Sequence, residues 1–553
     1  MKKIIALLLA FVTMTGLAQT PSSAIVRGRI VNVPEGYEQC LSVRYDDILQ
    51  ITTSNKIPLQ LDSLGRFEVE VPLMDRTPVI LGWIWLVLAP GQTYDVEIDG
   101  MDKVAVKGRD AQLSNEINRH EPAACNLNME EMERETDAFV LEAAEKELRR
   151  MEAANDSIAR ANPELSGQWR EYAHYCALSN VASRVAERRY IDSAISQSTD
   201  GRLWKWLHDN FICQMPRPMS IVPDKLGYIV LNYIMKIFAP RRGKLNIRGI
   251  DTAITIALEQ QADGTISRTE AFADSLKTLR VMLNDYKALA DANAPDSVLS
   301  AHPFVKSVQK TFSDVYFNGL FTKGIIEERL TIDKTKRIAA LDMPDDVRDY
   351  ACALLIYNHL ERYHAPLSPA MLSLARDVKN GYFRSQIIEK NEHYRQLAVK
   401  NESEKCLMKN EPLAGLTDGK ELFSKIIEPY RGRILFVDFW GTWCGPCKHD
   451  LKNYAHPLHK ALAGLPVTYL YMCNGSTDEA WRSTIAEFNI TGDNIVHYNL
   501  PAAQQKAVED YLDVKSFPTY IVFDKNGRRV TTNESEPKIY DLESVRKVME
   551  TLK

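Results

Sequence analysis

The stretch from Ile434 to Lys448, ILFVDFWGTWCGPCK, constrains the fold more than any other part of the chain. Its apolar, aromatic-rich run, bounded by Arg433 and Gly441, reads as a buried central strand, and the segment led by Pro446 reads as the start of a helix. Cys444 and Cys447 therefore sit at a strand-to-helix turn. Three residues of helical rise place them on one face within disulfide-bonding distance. Free amides and the dipole at the helix start favour a thiolate on Cys444. This is the chemistry of thiol–disulfide exchange.

The wording Val437-Asp438-Phe439-Trp440, followed by Trp443-Cys444-Gly445-Pro446-Cys447-Lys448, closely resembles thioredoxin. The Asp418-Gly419-Lys420 turn before the strand and the acid Asp450 three residues after Cys447 resemble the membrane-linked bacterial branch typified by TlpA and ResA. The resemblance covers roughly the last quarter of the chain and is silent elsewhere.

A chain of 553 residues is too long for one core, and size alone suggests about three or four domains. The net charge of -5 and the lack of a long Lys/Arg-rich stretch argue against a nucleic-acid partner. Lys2 and Lys3, the apolar run Ile4 to Val12 and the small residues Gly16-Leu17-Ala18 predict a signal peptide cleaved after Ala18. Gln19 rather than a cysteine follows, so no lipid anchor is indicated. Val79 to Ala89 and Leu226 to Ala239 are too short or too interrupted to span a bilayer and read as core elements. The expected location is an oxidising periplasm. Of the nine cysteines, Cys40, Cys125, Cys176, Cys213, Cys352, Cys406 and Cys473 form no close pairs or regular spacing, and most read as buried inert thiols.

Residues 24 to 108 alternate with a period of two: Phe67, Val69 and Val71 against Glu68 and Glu70, then Tyr94, Val96 and Ile98 against Asp95, Glu97 and Asp99. Antiparallel strands in a small β-sandwich are expected, similar to the β-domain that often precedes TlpA-like domains. Between about 110 and 405 the pattern turns helical, with an apolar stripe of Met129, Met132, Phe139, Val140, Leu148 and Met151. Trp204, Trp206 and Phe211 beside the proline-marked loop Met215 to Pro223 read as a packed corner in preference to a ligand cleft. After the entry segment Pro412 to Gly432, the final region reads as a strand over Val467–Cys473, helices over Thr477–Phe488 and Ala502–Leu512, a hairpin around Asn526-Gly527 and a last helix over Leu542–Leu552. That is the thioredoxin order, with Asn474 to Val514 as the insertion or crossover of TlpA-like members. The fold class is thus multidomain: a signal peptide at 1–18, a β-sandwich at 22–108, an all-α region at 110–405 and an α/β thioredoxin-like domain at 411–553.

A zinc reading of C-x2-C with His456 and His459 has the wrong spacing and lacks a second cysteine pair. A peroxiredoxin reading fails because Thr442 stands where that family opens its peroxide pocket with proline. Within the motif, Cys444 at the helix end is expected to be the exposed nucleophile and Cys447, one turn in, the buried resolving thiol. Pro446 suits the first helical turn. Asp438 sits in an apolar strand, where burial raises a carboxyl pKa. It matches the buried acid of thioredoxin and is assigned as general base for Cys447, with a structural hydrogen bond as the alternative. Asp450 matches the glutamate that tunes the cysteine pair in TlpA and ResA, or is simply an exposed helix residue. Lys452 replaces a helix-kinking proline usual in both branches. Pro518 matches the family's cis-proline, which leaves the backbone of Phe517 free to pair with an incoming peptide beside Trp443, Gly445 and Pro446. Cys473 ends a strand on the active-site edge and reads as a buried thiol in preference to a third thiol near the pair.

The resemblance implies an exported enzyme reducing protein disulfides through a Cys444 mixed disulfide. Gly445-Pro446 resembles the reducing end of the family's range, which in a periplasm implies a membrane electron donor of the DsbD or CcdA type. No metal or cofactor is implied. An oxidase or isomerase, or a redox-sensing binding or assembly module, remains open. The helical region carries no chemistry of its own and is expected to narrow the substrate range by partly covering the surface around Trp443 and Pro518.

Overall fold

The computed structural model describes residues 22–37, 40–49, 55–101, 103–109, 111–190, 201–222, 225–238, 247–262, 270–292, 294–307, 323–400, 405–531 and 539–552. The expected signal peptide at 1–18 and Pro223 of the proline-marked loop lie outside them. Among the described residues no helix is long and apolar enough to cross a membrane. The chain forms two compact units, one drawn from 1–239, 335–358 and 375–387 and the other from 240–334, 359–374 and 388–553.

The first unit opens with strands β1 (Ser22–Val31), β2 (Ser42–Tyr45), β3 (Asn55–Pro58), β4 (Arg66–Leu73), β5 (Thr77–Leu81), β6 (Ile84–Leu88), β7 (Thr93–Asp99) and β8 (Lys103–Lys107). They make two four-stranded sheets, ordered β4-β1-β7-β8 and β3-β2-β5-β6. The period-two pattern is realised: β4 and β7 bury every second residue, and Val69, Val71, Tyr94 and Val96 share one core with Val43, Val79, Leu81 and Leu86 of the other sheet. The expectation of antiparallel pairing throughout is corrected at one place, because β1 lies between β4 and β7 and runs parallel to β7. Gly28 permits that approach, since a Cβ there would stand 1.8 Å from the Val96 carbonyl oxygen. Helix α1 (Ala111–Arg119) then closes an edge of each sheet. Asn115 brackets Val106 of β8, Asn118 brackets Trp85 of β6, and each uses its amide to satisfy both main-chain groups.

Helices α2 (Asp137–Ala161), α3 (Gly167–Glu187) and α4 (Leu226–Ile237) follow in the same unit. The stripe on α2 is Val140, Ala144, Glu147, Met151 and Asn155, while Phe139 is exposed. Phe139 was expected inside; Thr136 caps the helix by accepting from the Phe139 amide, and that start sets a phase which turns Phe139 outward. Trp204, Trp206, Phe211, Met215 and Met219 are all buried, as a packed corner requires. In the second unit lie α5 (Ile247–Ala262) and α6 (Glu270–Asp291), whose facing residues include Ile250, Ile254, Leu276 and Leu283. Helices α7 (Lys323–Ile338), α8 (Asp345–Tyr363), α9 (Pro369–Asp377) and α10 (Gly381–Lys400) contribute residues to both units.

The rest of the second unit is an α/β layer structure. Its elements are α11 (Gly419–Ile427), β9 (Ile434–Trp440), α12 (Gly445–Asn453), α13 (Ala455–Ala461), β10 (Val467–Cys473), α14 (Asp478–Phe488), β11 (Ile495–Tyr498), α15 (Ala502–Leu512), β12 (Thr519–Phe523) and α16 (Leu542–Glu550). The sheet order is β11-β10-β9-β12, with β9, β10 and β11 parallel and β12 antiparallel to β9. Both faces are covered, which is why β9 and β10 are apolar almost without a break. Ile434, Phe436 and Trp440 of β9 pack with α12, α13, α14 and α16, whereas Leu435, Val437 and Phe439 pack with α11 and α15. Asp418, expected as a turn residue, is the N-cap of α11 and accepts from the Glu421 amide. The segment before it pairs with β11, through His497 N–H to the Cys406 carbonyl at 2.8 Å and Met408 N–H to the His497 carbonyl at 2.9 Å.

Candidate active site

Cys444 and Cys447 are joined as a disulfide with Cα atoms 5.3 Å apart. Cys444 is the N-cap of α12, and its Sγ accepts from the Cys447 amide at 3.1 Å. The sulfur therefore takes up an amide that helix geometry leaves unpaired. Pro446 occupies the first turn, where its missing N–H costs nothing. Gly445 and Pro446 are exposed. Cys444 itself is only 4 % exposed against 1 % for Cys447, so the expected contrast between an open nucleophile and a buried partner is absent while the two are bonded. The reason is local: with Sγ turned onto the Cys447 amide, Gly445 and Pro446 carry the exposed surface between the two cysteines.

Asp438 is buried on β9. Strand alternation sends it to the same side as Phe436 and Trp440, the side on which Cys444 and Cys447 pack. Tyr471 of β10 and Tyr520 of β12 stand opposite it on either side. The Tyr471 hydroxyl meets His459 Nε2 at 2.9 Å, and the Tyr520 hydroxyl donates to Asp450 Oδ2 at 2.8 Å. Burial, then the Asp438 charge, holds both phenols well above their ordinary pKa. Asp450 is thus a partner of Tyr520 and not merely an exposed helix residue, and it also lies 3.3 Å from His449 Nδ1. Sequence reasoning singled out both carboxylates but not the tyrosine between them, because cross-strand partners are invisible in linear order.

The Phe517–Pro518 peptide bond is cis. Phe517 meets the edge of Trp443, with ring centroids 5.4 Å apart, and Trp443 Nε1 donates to the Asn474 carbonyl at 2.9 Å. Thr442 is buried, its amide and hydroxyl both bonded to Ser476 Oγ. Cys473 is fully buried, and burial pushes its thiol up to about 12, so it is not a third reactive thiol at neutral pH. Cys176 and Cys406 are also buried, while Cys40, Cys125, Cys213 and Cys352 are half-buried, which corrects the expectation that most of the spare cysteines lie inside. Neither histidine of the rejected zinc pattern points to the cysteines: His456 Nε2 donates to the Phe488 carbonyl and His459 meets Tyr471. The helix break expected in doubt at Lys452 falls instead at Tyr454, between α12 and α13.

The C-terminal end of α8, with His364 just after it, meets the domain beside the disulfide helix. Lys448 Nζ donates to the Glu361 and Arg362 carbonyls at 3.1 and 2.6 Å, at the C-terminal end of α8, where a cation is favoured. Burial lowers the Lys448 pKa to about 8. His364 pairs with Glu487 of α14, and Ser483 donates to the His364 carbonyl. A cavity of about 310 Å³ opens next to Thr442 and Ser476, walled by His359, Tyr363, Leu367 and Glu328.

Residues 432–529 match a family model described as thioredoxin-like. The thiol-disulfide oxidoreductase ResA of Geobacillus kaustophilus (strain HTA426) is 28 % identical over 103 residues, covering 18 % of this chain and 54 % of ResA. ResA of Bacillus subtilis (strain 168) is 27 % identical over 139 residues, covering 24 % and 72 %. The chain spans about half the length of the first of these relatives. A solution structure of a putative thiol-disulfide oxidoreductase from Bacteroides vulgatus is 21 % identical, covers 23 % of this chain and 78 % of its own, and superposes with a TM-score of 0.20.

Proposed function

From a C-terminal thioredoxin-like domain of the ResA and TlpA type, we propose that this chain is a thiol–disulfide oxidoreductase acting on protein disulfides. The observation that carries the reading is the Cys444–Cys447 disulfide at the start of α12, above a sheet face whose one carboxylate on β9 is Asp438. In the reduced enzyme, the Cys444 thiolate attacks a substrate disulfide and forms a mixed disulfide, releasing one substrate thiolate. Cys447 loses its proton to Asp438 and attacks Cys444 Sγ, freeing the second substrate thiol and closing the disulfide seen here. Two electrons pass to the substrate, and an external dithiol must return them. Phe517, on the near side of the cis-proline, offers its backbone to the incoming peptide beside Trp443.

Several finer assignments belong to the same reading. The chain is exported to a periplasm after loss of residues 1–18, works in the reducing direction and draws electrons from a membrane donor of the DsbD or CcdA type. The strands at 22–108 form a sandwich domain, 110–405 a helical region and 411–553 the catalytic domain. The helical segments around Lys448 and His364 limit which substrates reach the disulfide.

Turnover of insulin disulfides by the reduced protein tests the activity. Cys444→Ala and Cys447→Ala should each abolish turnover. Unimpaired turnover in either variant would overturn the assignment, and substrate binding without any turnover in the unaltered chain would favour a binding module. Thiol trapping in cells settles direction: a reduced pair fits a reductase and an oxidised pair an oxidase.

A further inference from the structure

The cavity of about 310 Å³ beside the active-site loop lies within the second compact unit and takes part in no step of the chemistry proposed above. Its size is at the small end of those that hold ligands. It adjoins the loop that carries the disulfide. Thr442, two residues before Cys444, forms part of its wall, and so does Gly475, where a Cβ would stand 3.4 Å from Trp443 Nε1. Trp443 in turn meets Phe517 beside the cis-proline. With Cys444 and Cys447 as the reacting pair, the reading on which this inference rests, a polypeptide lying against Trp443 and Phe517 brings the residues that flank its cysteine next to the cavity.

The wall has two chemical parts. Ile325, Tyr363, Pro366, Leu367 and Ala480 give it an apolar lining, and Glu328 and Glu479 add two carboxylates. Glu328 on α7 is half-buried and Glu479 on α14 is exposed, so both keep water, and neither has an ion-pair partner among the described residues. Glu479 stands in the first turn of α14, where an acid also suits the helix dipole. Glu328 lies more than a turn into α7 and has no such local reason. Among the described residues no Lys or Arg lines the cavity: Arg362 lies over the Tyr363 ring, 5.7 Å from its centroid, without forming part of the wall. His359 in the wall is buried, and burial, then Arg362, lowers it to about 4, so it adds no positive charge at pH 7.

An apolar lining with carboxylates at a wet rim suits a long cationic side chain, whose methylenes cover the wall while its head stays near water and a counter-charge. An acidic side chain there meets two like charges. We infer that this cavity is a specificity site for the substrate polypeptide, taking an Arg or Lys side chain beside the substrate cysteine, with Glu328 and Glu479 as the residues that select it. The preferred substrates are then disulfides set in basic sequence.

The test uses the reduced full chain and four short peptides, each with one intramolecular disulfide and alike except for Arg, Leu, Ala or Glu beside one cysteine, placed before it in one series and after it in a second. In one series kcat/KM should be about fivefold higher for Arg than for Leu, the scale of one or two solvent-screened ion pairs, and lowest for Glu. The Arg advantage should shrink as salt rises from about 0.05 to 0.5 M. Glu328→Gln combined with Glu479→Gln should bring the Arg-to-Leu ratio close to one, and Glu328→Lys combined with Glu479→Lys should turn the order toward Glu. Ratios taken within one preparation do not depend on how much of a variant is folded. Equal rates for Arg and Leu in both series overturn the inference, as does an Arg preference that survives both double variants; a preference for Leu over Arg overturns it too and marks an apolar pocket. Turnover of all four peptides without an Arg preference removes this inference alone, whereas no turnover of any peptide removes the oxidoreductase reading and the inference with it.

Discussion

At the scale of single residues, the site is built from groups that a stable core would not choose. An ionised carboxylate in an apolar strand costs several kcal/mol unless its surroundings compensate, and Asp438 is the one charged residue in a β9 that is buried from end to end. Asp438→Asn keeps the shape and removes the base. Resolution should slow by about one to two orders of magnitude near pH 7, while the denaturant midpoint should not fall, because a neutral amide is cheaper to bury than a charge. Rapid-mixing kinetics over pH check this; a pH–rate profile identical to that of the unaltered protein would contradict it. Cys444 carries the opposite lesson. Its chemistry is legible from two cysteines and a proline, but its low exposure is not, because the inward turn of Sγ onto the Cys447 amide is a feature of packing that linear order does not show.

At the scale of elements, β9 and β10 match their sequence boundaries residue for residue, as does α15. Each is bounded by glycine, proline, asparagine or a charged residue, and a strand covered on both faces leaves a nearly unbroken apolar run. Strand β11 was not foreseen. Its four residues, Ile495 to Tyr498, are too few for a period, and His497 reads as polar although it is fully buried between β10 and the Cys406–Met408 segment. The phase of α2 was misread at Phe139 because its stripe includes Glu147 and Asn155, polar residues whose burial is compensated by bonds to Asn126 and Ala123. His497 also gives β11 a pH signature. Burial pushes it down to about 3, while an unfolded histidine titrates near 6.5. The folded pKa is the lower one, so this stability is present above about pH 6.5 and is lost as pH falls, the unfolded chain taking up a proton that the folded one refuses. Between pH 7 and pH 5 the loss should be on the order of 1–2 kcal/mol for His497 alone. Urea midpoints followed by tryptophan fluorescence should fall over that interval; a midpoint independent of pH would contradict the assignment.

At the scale of the whole molecule, the thioredoxin-like layers share their compact unit with residues 240–334, 359–374 and 388–400. These reach the disulfide helix at Lys448 and α14 at Ser483 and Glu487. Sequence reasoning expected cover around Trp443 and Pro518; the contacts described here lie beside Lys448, a lysine whose role no local pattern reveals, because its acceptors are main-chain carbonyls distant in sequence. If this cover narrows the substrate range, Glu487→Ala should speed reduction of insulin a few-fold and leave a small disulfide such as oxidised glutathione unchanged. Equal effects on both substrates would show that access is not what the contact controls. The central claim, that Cys444 attacks and Cys447 resolves, is tested most directly by isolating the full chain from its native compartment in two variants and separating adducts without reductant. Cys447→Ser should carry covalently bound proteins that a reductant releases, and Cys444→Ser should carry none; adducts trapped equally by both variants would contradict the account.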